Sequence, residues 1–214
     1  MLFRSTAISS LRVVFNIAAN FNRCGVLINS HIHPQDNHYV GYNAFDNLSG
    51  GGTAVTLTRN TYGLVEGNSM TRVGVGVRIE SCDKPTSLLT ASAVRENTIR
   101  SERAGIVVND YFHSGAPLDV RGNTITTDAN GDNNIGLYLT GVRDCAPVTM
   151  ATNHISGAYE GVKAYNCHPA ATKQTLSQSI LRHNTYDVHV LDEVHTTQII
   201  QLTLDNTAIF PKTE

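Results

Sequence analysis

The chain has 214 residues, 41% of them hydrophobic and 16% charged, which suits one sizeable folded core and excludes a disordered chain. A formal net charge of −2, with acidic and basic residues mixed along the sequence, lacks the basic footprint of a nucleic-acid binder. No apolar run reaches the length of a membrane-spanning helix, and 17 Gly, no Trp and abundant Asn and Thr favour strands and turns.

In chain order, the opening Leu2-Phe3-Arg4-Ser5 resembles the translated end of a sequencing adapter. Residues 1–5 are therefore expected to be non-native or disordered, and 6–214 to form a single domain. A stack cut at that end would expose unpaired strand edges around Leu11 to Asn20 and invite end-to-end self-association.

From Gly25 onward a Gly-apolar-x-apolar pattern recurs seven times: Gly25–Ile28, Ala54–Leu57, Gly76–Ile79, Gly105–Val108, Gly136–Leu139, Gly161–Ala164 and Asp187–Val190. The starts are 29, 22, 29, 31, 25 and 26 residues apart. Between them runs a series of Asn residues, read as Asn20, Asn43, Asn68, Asn97, Asn123, Asn153, Asn184 and Asn206. Its clearest members are framed by apolar residues, as in Val94-x-x-Asn97-x-Ile99 and Val120-x-x-Asn123-x-Ile125. In three coils the Asn precedes the Gly by eight residues, so the two markers keep step.

A unit of 22 to 31 residues has too little apolar surface to fold alone, but stacked units pair their strands in parallel at roughly 4.8 Å. Buried Asn residues stacked coil upon coil satisfy one another through their side-chain amides. The expected fold is all-β, a right-handed parallel β-helix, or solenoid, of about seven coils with an Asn ladder. A β-sandwich would need hairpin turns and would not phase-lock an Asn. From about Asn20 to Asn206 the pattern resembles the pectin-lyase-like superfamily of parallel β-helix repeat proteins.

That resemblance implies the fold more narrowly than the activity, because the superfamily holds polysaccharide lyases, hydrolases and epimerases beside phage tailspikes and adhesins. It implies an extended, acidic polysaccharide as partner and a secreted or cell-surface location. The alternative is a non-catalytic glycan-binding or structural module.

On each Gly-apolar-x-apolar strand the intervening residue and the one after the motif point outward. The first outward column places Tyr138, Lys163 and His189 on successive coils, with Arg78 further along. The second holds Glu80, Asn109 and Tyr165. Lys163, His189 and Tyr138 are the candidate catalytic residues, being types that could neutralise a uronate carboxylate, abstract its C5 proton and protonate the leaving oxygen. Arg78, Glu80, Asn109 and Tyr165 are the candidate substrate-binding residues.

Asp128, Asn130 and Asp132 place oxygen ligands at alternate positions beside Gly131, and are the candidate site for Ca²⁺; the distal Glu of an EF-hand is missing. No other cofactor is indicated. Of nine His residues, His31 and His33 share a strand face without a third ligand at a telling spacing, while His154 and His183 read as surface turn residues. Cys145 and Cys167 stand equivalently after two consecutive strands, about 5 Å apart on stacking, so they are either bonded or two reduced thiols.

Overall fold

The computed structural model describes residues 11–29, 35–47, 50–58, 61–82, 92–111, 118–128, 133–141, 148–165, 174–191, 202–205 and 207–210. Their strands fall into three parallel columns, and in two coils a single long strand, Ser69–Cys82 or Thr98–Tyr111, serves two of them. The glycine face consists of Cys24–Asn29, Thr53–Thr58, the ends of the long strands Ser69–Cys82 and Thr98–Tyr111, then Ile135–Thr140, Glu160–Tyr165 and Tyr186–Leu191. Gly105–Val108 and Gly136–Leu139 run parallel as the repeat requires, with Ile106 opposite Leu137 and Val108 opposite Leu139.

A pre-asparagine face of eight strands runs from Arg12–Val14 to Leu202–Asp205. The post-asparagine face is joined to the glycine face through the two long strands, and includes Thr124–Thr127 and His154–Ser156. Inward residues of all three faces fill one continuous apolar core, among them Val94, Val120, Ile99, Ile125, Ile155, Val108 and Leu139. Each such side chain stabilises the stack by about 1.5–3 kcal/mol relative to exposure.

The apolar frame and the glycines are sterically linked. A Cβ on Gly105 would lie 2.3 Å from Ile125 Cγ2, and one on Gly136 would lie 2.2 Å from Ile155 Cγ2. Each glycine thus leaves room for the branched residue that follows the Asn of the next coil. This contact is why the two sequence markers keep step.

The ladder itself is observed at Asn43, Asn68, Asn97, Asn123 and Asn153, all 3% exposed or less. Each of the first four donates its backbone N–H and its Nδ2 to the next Asn Oδ1, at 2.9 to 3.1 Å. The remaining Nδ2 capacity goes to backbone carbonyls, as from Asn123 to Val94 and Arg121. No buried amide group is stranded within this run.

Two ends of the expected series are corrected. Among the described residues the ladder begins at Asn16, whose N–H donates to Asn43 Oδ1 at 2.9 Å, whereas Asn20 is exposed on another corner. After Asn153 the next rung is Ser179, whose Oγ accepts the Asn153 N–H at 3.1 Å. The apolar frame Leu176-x-x-Ser179-x-Leu181 carries this position, and a hydroxyl oxygen supplies the acceptor. Asn184 is buried at a different corner, where its Oδ1 accepts from the Ala158 N–H at 2.9 Å. Asn206 lies outside the described residues.

The residue before each rung is left-handed: Phe15, Tyr42, Gly67, Glu96, Gly122, Thr152 and Gln178 have φ between 47° and 65°. Only two of these seven are Gly. The corner is enforced by the ladder and the adjoining strands against the local preference of the other five.

Candidate functional site

Register on the glycine face brings the first outward column together as read from the sequence. Arg78 stands opposite Val107, Val107 opposite Tyr138, Tyr138 opposite Lys163, and Lys163 opposite His189. The Lys163 ammonium sits 5.8 Å from the centre of the Tyr138 ring, within reach of a cation–π attraction. The second column aligns Glu80, Asn109, Thr140 and Tyr165 on successive strands. Arg78 Nη1 pairs with Glu80 Oε2 at 3.3 Å, so these two candidates form a charge pair at one end of the row.

Sequence reasoning missed Glu160. Its side chain is only 5% exposed, yet one carboxylate oxygen accepts from Lys163 Nζ at 2.8 Å and the other contacts His189 Nδ1. Strict alternation puts residues 160 and 163 on opposite faces. Here Gly161 and Val162 both turn to the core, where a Cβ on Gly161 would meet Asn184 Nδ2 at 2.9 Å and Val162 is fully buried. The phase slips by one residue, and Glu160 joins Lys163 outside. The Gly two positions before each outward residue was the available signal.

Toward Arg78 the face is hollowed into a groove of about 390 Å³, floored by Val75, Ala104 and Val107 and bordered by Arg78, Arg103, Asn109 and Tyr138. Val75, Ala104 and Val107 form a small apolar cluster of their own, against which Tyr138 packs. Arg103 Nη2 donates to the Gly51 carbonyl at 2.6 Å, a contact that anchors its cation without neutralising it. Tyr138 therefore belongs both to the groove and to the Glu160 cluster.

The candidate Ca²⁺ segment is described only at Asp128, whose carboxylate accepts from Arg100 Nε at 3.0 Å. Asn130 and Asp132 lie outside the described residues, as do His31, His33, Cys145 and Cys167. His183 is exposed in a left-handed turn, and His154 faces outward from the strand His154–Ser156. His38 is buried, and its Nδ1 accepts from the Leu11 N–H at 3.2 Å.

Three parallel faces around one core, closed at a corner by stacked Asn amides, define a right-handed parallel β-helix protein of the pectin-lyase-like kind. The family model described as "Periplasmic copper-binding protein (NosD)" matches residues 12–210, and the chain belongs to that family. Neither a curated protein nor a solved structure is significantly similar to it. A copper centre needs several nitrogen or sulfur donors converging on one point. Among the described residues no three His, Cys, Asp or Glu side chains converge in this way, and the Glu160–His189 pair supplies two donors only. The described residues do not fit a copper centre.

Proposed function

We propose that the chain is an extracytoplasmic, carbohydrate-active β-helix that holds an extended acidic polysaccharide along the glycine face and abstracts the C5 proton of a uronate residue beside His189. One observation carries the reading: the groove at Arg78, Arg103 and Asn109 runs into Tyr138, Lys163 and His189 on adjoining strands. Four strand steps separate Arg78 from His189, roughly 19 Å at the parallel spacing. That span suits a polymer better than a single sugar. The family's periplasmic description supports the location.

In the reaction, Lys163 faces the uronate carboxylate and offsets the charge that builds as the C5–H bond breaks. The proton passes to the exposed nitrogen of His189, and the electron pair stays on C5. In elimination that pair forms the C4–C5 double bond as the C4–O bond breaks, and the Tyr138 hydroxyl gives its proton to the departing oxygen. In epimerisation the C4–O bond stays intact and solvent water gives a proton to C5 from the opposite side, the proton on His189 then passing to solvent. Arg103, which meets no carboxylate among the described residues, would hold a carboxylate further along the polymer.

The test is the ultraviolet absorbance of unsaturated products after incubation with a panel of uronate polymers, for the protein and for Lys163→Ala. Turnover that falls at least a hundredfold in Lys163→Ala is expected. Turnover unchanged by that substitution removes Lys163 from the mechanism. Binding of the polymers without turnover of any of them replaces the enzyme reading with a glycan-binding module.

A further inference from the structure

We infer that Glu160 is the positioning residue of this face: its buried carboxylate fixes His189 in the Nδ1–H tautomer and so presents a bare Nε2 to whatever lies on the outer surface. The inference rests on the proposed reaction only for its catalytic consequence. The tautomer itself follows from the geometry.

An ionised carboxylate can only accept, so the ring nitrogen against Glu160 Oε1 must carry the hydrogen. In the neutral ring the other nitrogen is then a bare acceptor. Nε2 makes no hydrogen bond among the described residues, and the His189 side chain is 38% exposed, so this acceptor is open to a ligand. Tyr186 lies tilted against the ring, with ring centres 6.0 Å apart, and is itself braced edge-on by Tyr159 at 5.2 Å. The imidazole is fixed at Nδ1 and by an aromatic neighbour, leaving one nitrogen outward.

The same carboxylate holds Lys163 from its second oxygen. Glu160 thereby assigns different tasks to two side chains that both look basic in the sequence. Lys163, an ammonium bound to an anion, is a donor and a positive charge. His189 is the group with a free lone pair.

Nitrogen-15 NMR of ring-labelled histidine in the full chain reads the tautomer without any substrate. The neutral His189 signal is expected as Nδ1–H with bare Nε2. Glu160→Ala should revert it to the Nε2–H form that free histidine prefers. Should that variant fail to fold, the isosteric Glu160→Gln carries the same test. Lys163 claims its carbonyl oxygen, the amide NH₂ then faces His189, and Nδ1 becomes the acceptor. On a polymer that the protein turns over, both variants should lose about 10- to 100-fold in kcat with little change in KM.

A wild-type Nε2–H ring, or a Glu160→Gln ring unchanged from wild type, overturns the assignment whatever the activity. The expected tautomers without turnover of any polymer leave the assignment standing and remove the proposed reaction instead.

Discussion

Asn97 gives both its backbone N–H and its side-chain Nδ2 to the single carbonyl oxygen of Asn123, at 3.1 and 3.0 Å. Asn123 repeats the gesture toward Asn153. Replacing Asn123 by Ala removes the acceptor for two buried donors, and should cost about 1–3 kcal/mol in urea unfolding. A midpoint unchanged from wild type would contradict the ladder as a source of stability.

The contact between Gly136 and Ile155 predicts a coupled pair. Gly136→Ala forces a methyl group against Ile155 Cγ2 and the Gly161 carbonyl, and should cost about 1–3 kcal/mol. Ile155→Ala alone should cost about 2–5 kcal/mol through the cavity it leaves. Combined, the two should cost less than their sum by about 1 kcal/mol, because the second removes the atom that the first collides with. Strict additivity in a double-mutant cycle would count against this packing.

The left-handed corner predicts opposite signs at two equivalent positions. A Cβ on Gly122 would meet nothing nearer than Glu96 Cγ at 3.4 Å, so Gly122→Ala should lose about 1–2 kcal/mol through its φ of 65° alone. Thr152, β-branched at φ 53°, should gain up to about 1 kcal/mol on replacement by Gly. Thermal unfolding of both variants checks the pair.

Burial, together with the Glu66 carboxylate that accepts from its hydroxyl at 3.1 Å, pushes Tyr39 up from 10.0 to about 12. An acid whose folded pKa is raised adds stability that is complete below its unfolded value. That stability is lost as the pH climbs from about 10 toward 12. Wild type should therefore weaken over this window by more than Tyr39→Phe does, as read by denaturant midpoints at each pH. Equal slopes for the two proteins would refute it.

The fold was legible because two unlike forces mark the same repeat, a steric vacancy at glycines such as Gly105 and a polar ladder at residues such as Asn97. Reading the ladder by residue name alone misplaced its ends. Asn16 and Ser179 sit in the apolar frame and Asn20 does not, but Asn184, with Leu181 three before it and Tyr186 two after, fits the frame and is excluded only by its place at another corner. The row Tyr138, Lys163, His189 followed from alternation, and Glu160 escaped because Gly161 and Val162 break that alternation. The one cue to the slip is the glycine itself, which alternation would place outward and packing turns inward. The His and Cys residues between the strands carry no repeat, and their arrangement was not legible.

Because each rung of the ladder bonds only to the coil beside it, stability along this molecule is a matter of nearest-neighbour terms. The coil then becomes an exchangeable part. A second copy of residues 97–122 inserted after position 122 would offer Asn97 the same oxygen it now finds in Asn123, and would offer Asn123 the same two donors. Such a duplication lengthens the rod and its outer face by one step without changing either end, so the chain can grow by whole turns while the Glu160–His189 cluster keeps its surroundings.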